Sequence, residues 1–333
     1  MMSKGRLAVI LAGLILIVGI VEVWTGPTNL LRMELLLDFL LGAGGEDAMR
    51  AWLVLTELRL PRVVLAGLLG AALAVSGVLL QTYFRNPLAE PYVLGISSGA
   101  GLGAVVWSAA LGGWTGVTWG SMGAAWLGAL LAVLAVMFIA HESGRVVNST
   151  LLLAGVAVGA LCAALTTAFL LQAQTDQFRA LLGWLMGSVA RQGWEEIGML
   201  APVVVLGTWF AARQSRAMDW LAVDEDAAFT SGVEVRKIKG RLLWTAVVLT
   251  ASSVAVCGAV AFVGLMVPHA LRRISGASHR GLIGLSALGG ALLVMVADGI
   301  CRIAGRGVEL PLSVVTSALG AVFFLVLLRL RER

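Results

Sequence analysis

The sequence predicts an all-α polytopic membrane protein of about ten transmembrane helices, forming a single domain over residues 1–333. Three observations carry that expectation. Hydrophobic residues make up 59% of the chain, charged residues only 13%, and mean hydropathy is +0.94, a composition suited to hydrocarbon rather than water. Apolar runs of the roughly 20 residues needed to cross about 30 Å of hydrocarbon recur along the chain, and no stretch of soluble-domain composition interrupts them. Finally, a short pattern repeats: Ala74-Val75-Ser76-Gly77 precedes Pro87, and Ala255-Val256-Cys257-Gly258 precedes Pro268 at the same distance.

The first apolar run, Leu7 to Val21, follows Lys4 and Arg6. It is read as an uncleaved span, because no small-x-small cleavage site follows and Glu22, Trp24, Gly26 and Pro27 close it like a helix terminus at an interface. Further spans are expected near 60–84, 94–111, 119–140, 149–172, 194–212, 242–265, 267–275, 282–303 and 309–328, the pieces at 94–111 and 267–275 being short. The stretch 178–189, containing Gly183-Trp184-Leu185-Met186-Gly187-Ser188, is too short and interrupted to span and is expected at the outer surface.

Basic residues orient this map. With both termini on one side, that side takes 16 Lys and Arg and the other takes 8, accounting for all 24, so both termini are expected in the cytoplasm. The net charge of +5 and the pI near 9.6 are then consequences of topology and require no nucleic-acid partner. Under this orientation the two copies of the repeated pattern run in opposite directions. Inverted repeats with interrupted helices are a transporter architecture.

Residue chemistry excludes several function classes. Gly95, Gly99, Gly101 and Gly103 sit in an apolar helical setting with no preceding strand, so they are read as close-packing residues, and the chain has no Gly-Lys-Ser/Thr loop to cradle ATP. Asp176, Asp298 and Glu309 fall near helix ends, which leaves no mid-membrane relay for an ion-coupled carrier. Cys162, Cys257 and Cys301 lie in spans without metal-ligand spacing and are expected as free buried thiols, while His269 after Pro268 is read as packing at a helix break. No constellation of nucleophile, base and metal ligand points to an enzyme. The longest polar stretch, 213–241, contains the fragment Asp226 to Gly232, a short helix stopped by glycine and suited to enter a partner's groove. Arg59 and Arg62 before one span, and Arg302 and Arg306 after another, gather positive charge outside. Such a rim suits either lipid phosphates or the carboxylates of a docking protein.

Separated motifs then carry a resemblance. They are Arg59-Leu60-Pro61-Arg62; Gly77 through Gln81; Arg85-Asn86-Pro87-Leu88-Ala89-Glu90-Pro91; Leu94-Gly95-Ile96-Ser97-Ser98-Gly99-Ala100; Trp184-Leu185-Met186-Gly187-Ser188; Phe262 through His269; Ala297-Asp298; and Glu309-Leu310-Pro311 with Thr316 and Gly320. In this order, across nearly the full length, the chain resembles the FecCD-type permeases, membrane subunits of ABC importers for iron siderophores, haem and vitamin B12. The resemblance implies a type II importer permease that forms a homodimer in the cytoplasmic membrane. It also implies two cytoplasmic ATPase subunits that carry the ATP and Mg, a soluble substrate-binding protein outside, and no cofactor or metal on this chain. Family breadth favours an iron chelate as cargo, with cobalamin as the alternative.

By the same resemblance, Arg59, Arg62 and Arg302 match the arginines that meet the binding protein, with Arg306 lacking a motif behind it. Asn86, Leu88, Asn148 and Ser149 lie where a cytoplasmic gate would close. Asp226, Ala227, Ala228 and Gly232 match the segment that couples to the ATPase, although aspartate replaces the usual glutamate. The competing class is a stand-alone secondary carrier or channel, distinguished by flux that depends on an ion gradient alone.

Overall fold

The computed structural model describes residues 3–25, 33–42, 45–111, 117–142, 145–146, 148–190, 192–304 and 309–331. Its helices are α1 (Lys4–Trp24), α2 (Met33–Leu40), α3 (Glu46–Leu53), α4 (Leu60–Phe84), α5 (Ile96–Ala110), α6 (Trp119–Ile139), α7 (Asn148–Leu170), α8 (Thr175–Leu185), α9 (Trp194–Arg213), α10 (Ser215–Val223), α11 (Glu225–Thr230), α12 (Val235–Cys257), α13 (Val263–Ser275), α14 (His279–Ala304) and α15 (Leu312–Arg331). A two-residue antiparallel ladder pairs His141–Glu142 with Arg145–Val146. Each of the ten expected spans overlaps a helix, the one expected at 242–265 running past the end of α12 and into the start of α13. Among the described residues, seven helices are long and apolar enough to cross a membrane, and α5 and α15 are shorter apolar helices.

The core is built around α4, whose residues are buried almost continuously from Leu65 to Phe84. It lies antiparallel to α14, as three contacts fix: Arg62 meets Asp298, Gly70 meets Gly290 and Thr82 meets His279. At the middle contact the backbones nearly touch. A methyl group on Gly70 would lie 2.0 Å from the Gly290 carbonyl oxygen, and one on Gly290 would lie 2.2 Å from that of Gly70, so only glycine permits this approach. Helix α1 runs parallel to α14. Lys4 Nζ donates to the carbonyls of Ser278 (3.0 Å) and Arg280 (2.6 Å) at one end, and Arg302 Nη1 donates to the Glu22 carbonyl (3.0 Å) at the other.

Several boundaries differ from expectation. A π-helical stretch, Val54–Arg59, joins α3 to α4, so apolar helix continues from Glu46 to Phe84 where a span was expected only from residue 60. Helix α12 stops at Cys257, where Gly258 takes φ 73°, and α13 starts at Val263 instead of near residue 267. The break therefore precedes Pro268, which lies inside α13. Proline removes the N–H that would have bonded the Gly264 carbonyl four residues earlier, and Gln81 Nε2 donates to that carbonyl at 3.2 Å instead. The repeated pattern also differs locally between its copies: Ser76-Gly77 lies inside α4, whereas Cys257-Gly258 ends α12. The stretch expected not to span forms α8, with Leu181 and Trp184 buried.

Two chain breaks are laced together beside α4. After Arg85 turns the chain in the left-handed region (φ 49°), residues 85–95 lead back through a 3-10 turn at Pro91–Leu94. Tyr92 Oη donates to the Val260 carbonyl (2.8 Å) and accepts from the Val260 N–H (2.6 Å). The Glu90 carboxylate accepts the N–H of Phe262, which caps α13, and so satisfies a donor that a helix start leaves open.

Candidate functional site

Chemistry-bearing side chains gather at the two ends of the α4–α14 pair. At the Arg62 end, Arg62 Nε and Nη2 each donate at 2.8 Å to the two oxygens of Asp298, and Nη1 donates to Glu309 Oε1 at 2.7 Å. Arg302 reaches Asp298 Oδ2 at 3.3 Å and Glu22 Oε1 at 3.4 Å, and its Nη1 also donates to the Thr25 carbonyl. Arg59 donates to the Val23 carbonyl.

The structure therefore places Arg59, Arg62 and Arg302 together, as the sequence suggested, but not as an exposed cationic rim. All three are buried or nearly so, and the cluster's three guanidiniums are matched in number by Glu22, Asp298 and Glu309. A guanidinium taken out of water needs such partners, because an unpaired charge in low dielectric is costly. Glu22, read from sequence as a helix-ending interfacial residue, is only 2% exposed. The spacing of Asp298 and Arg302 was the one signal in the sequence that could have shown part of this network, since residues four apart share a helix face. Arg306 lies outside the described residues.

At the Thr82 end, α10 and α11 form a small unit braced on three helices. Arg85 Nη1 donates to Asp224 Oδ1 at 2.7 Å, Lys239 Nζ of α12 donates to Glu225 Oε1 at 3.0 Å, and the ring of His279 bridges Asp219 Oδ1 (2.7 Å) and Thr82 Oγ1 (2.8 Å). Partial burial opposes the charge of Asp219. The backbone and ring N–H groups of His279, with the Ser278 hydroxyl, outweigh that and hold its carboxyl below the ordinary carboxylate value.

The fragment Asp226 to Gly232 contains the short helix stopped by glycine that its sequence predicts. Helix α11 ends with Gly232 at φ 79°, the Gly232 N–H bonded to the Phe229 carbonyl (3.0 Å) and the Val233 N–H to the Ala228 carbonyl (3.0 Å). This is the double-bonded glycine cap of a helix C-terminus. Ala228 is buried, Ala227 half-buried, and Asp226 exposed. Phe229, not singled out from sequence, is 74% exposed at the same place.

Of the residues expected from sequence at a cytoplasmic gate, Asn86 and Leu88 are exposed, and Asn86 Oδ1 accepts the Leu88 N–H at 2.9 Å, which shapes the turn before the 3-10 segment. Asn148 begins α7, its side chain outside the described set, and Ser149 is exposed. Farther along, α7 packs against the 3-10 segment closely enough that a methyl group on Gly155 would lie 2.1 Å from the Val93 carbonyl oxygen. Cys162, Cys257 and Cys301 are free and buried, and the His269 ring packs edge-on against Phe323.

This arrangement agrees with what the chain is similar to. The cobalamin import system permease protein BtuC of Halobacterium salinarum is 42% identical over 282 residues, covering 85% of this chain and 75% of the relative. The hemin transport system permease protein HmuU of Yersinia pestis is 37% identical over 316 residues, covering 92% of each. A solved inward-facing transporter assigned to the metal-chelate ABC type aligns with a TM-score of 0.83 at 26% identity, covering 98% of this chain and 99% of its own. A sequence profile of the FecCD transport family matches residues 9–330, nearly the whole length, and the chain belongs to the FecCD transport family.

Proposed function

We propose that this chain is the permease subunit of an ABC importer that moves a metal chelate, with ATP hydrolysed by a separate partner. The observation that carries the reading is the α10–α11 unit: a short capped helix held by ion pairs to α4 and α12, presenting Phe229 to a partner. A braced, protruding element of this kind suits force transfer from an ATPase, whereas an ion-coupled carrier has no use for it. Relatives named for cobalamin and haemin support the cargo class and differ on its member.

In this reading the protein works as a homodimer in the cytoplasmic membrane, both termini facing the cytoplasm in keeping with the basic-residue bias. ATP binding closes the two ATPase subunits, which shifts Asp226, Ala227, Ala228 and Gly232 and changes the state of a gate at Asn86, Leu88, Asn148 and Ser149. Arg59, Arg62 and Arg302 meet acidic residues of a substrate-binding protein at the opposite end.

Uptake into proteoliposomes holding the chain, its ATPase and its binding protein tests this, with ferric siderophore, haemin and cyanocobalamin compared. ATP-dependent accumulation of one cargo is expected and would name it. Flux that needs only an ion gradient would establish the carrier alternative instead.

A further inference from the structure

We propose that Glu309 is an internal stand-in for the docking protein's carboxylate, occupying Arg62 until an incoming acidic side chain displaces it. The inference rests on the docking role given to Arg62 above. It starts from charge: Arg62 and Arg302 are in ion-pair contact with Glu22, Asp298 and Glu309, so Arg62 does not offer a bare positive charge to an acidic partner. For Arg62 to bind a new carboxylate, it has to exchange one it already holds.

The two candidates for exchange are unequal. Asp298 is buried, makes two hydrogen bonds to Arg62 and also lies 3.3 Å from Arg302, so its departure would leave two buried guanidiniums short of a partner. Glu309 makes one bond to Arg62, its side chain is 45% exposed, and it precedes α15 outside regular helix. Replacing Glu309 by another carboxylate conserves the charge around Arg62 and moves only a surface side chain. Exchange therefore falls on Glu309.

The position of Glu309 gives the exchange a path inward. One residue on, the Leu310 N–H points to the Cys301 carbonyl at 3.5 Å. Beyond Pro311, the Leu312 N–H donates to the Gly187 carbonyl (2.9 Å) and the Ser313 N–H to the Met186 carbonyl (3.3 Å). Ser188, which follows Gly187, donates its N–H to the carbonyl of Cys257 at the end of α12 (2.8 Å). These backbone bonds tie the segment that carries Glu309 to the break between α12 and α13, so a displacement of Glu309 that draws its backbone along would strain them.

The test measures the affinity of the membrane-embedded permease for the binding protein that supports uptake. Glu309→Gln, which removes the competitor's charge, is expected to tighten binding by about fivefold, while Glu309→Asp retains much of the competition. Glu57→Gln, the same charge change at an exposed position before α4, is expected to alter affinity by less than about twofold. Unchanged or weaker binding by Glu309→Gln would overturn the inference, because a carboxylate that merely positions Arg62 predicts that sign. An equal gain from Glu57→Gln would overturn it too, by assigning the effect to general charge. Hydrogen exchange on the wild-type chain supplies a readout without mutation: docking should accelerate exchange at Leu310, Leu312 and Ser313, and unchanged protection there counts against the exchange. Absence of any wild-type binding would instead remove the docking reading itself, and this inference with it.

Discussion

At the Arg62 end, Arg62, Arg302, Glu22 and Asp298 are buried charges in ion-pair contact, with Glu309 at their exposed edge; at the Thr82 end, Arg85, Asp224, Glu225 and Lys239 are partly exposed and hold the short helix α11. The same residue types therefore do different work. Buried pairs depend on every member, because each lost partner leaves a charge without water or counterion. Exposed pairs set the position of a helix at little energetic cost and are readily replaced by water. The buried part of the first end resists change, Glu309 at its edge apart, and the second end can readjust.

The sharpest way to break this comparison is Asp298→Ala, which removes the bidentate partner of Arg62 and a neighbour of Arg302. Destabilisation of about 3–5 kcal/mol is expected, read as a fall in thermal unfolding temperature in detergent; a change within error would show that the cluster is wetter than its burial indicates. Gly290→Leu should cost about 1–3 kcal/mol, because its side chain meets the α4 backbone at Gly70, and unperturbed unfolding would contradict the close approach. At the other end, Phe229→Ala should leave unfolding unchanged and lower ATP-driven uptake by roughly tenfold, as loss of an aromatic anchor does at an interface. Full uptake would remove Phe229 from the coupling surface. The smallest effect is expected for Asp219→Asn. The folded-state pKa of Asp219 is depressed, so its contribution is present above the ordinary carboxylate range near pH 4 and is lost as pH falls below it. The variant should flatten stability against pH on that acid side only, and identical acid profiles for both proteins would dismiss the role of the His279 contact.

Spans were legible in the sequence because hydropathy and helix length are local properties. The α11 cap was legible for the same reason, since a glycine after a short helix has a direct conformational meaning at φ 79°. The α12 boundary was not, because Pro268 is the stronger local breaker and its tolerance inside α13 depends on Gln81, which reaches the Gly264 carbonyl from a distant part of the chain. The pairing of Glu22 with Arg302 was likewise hidden. Their proximity comes from the parallel packing of α1 on α14, and nothing within either segment encodes it. Exposed charges were expected where buried ones stand, because sequence gives the position of an arginine along the chain but not the carboxylate that meets it.

The three contacts along α4 and α14 have a mechanical consequence. Twenty residues separate Arg62 from Thr82, roughly 30 Å of helix, and the pair is pinned near both ends and in the middle at Gly70. Such a pair cannot slide without breaking all three contacts, so it behaves as a stiff lever. Tilted by about 5° around its centre, it would displace each tip by little more than about 1 Å, in opposite directions. Larger openings have to come from parts of the molecule that are hinged rather than pinned.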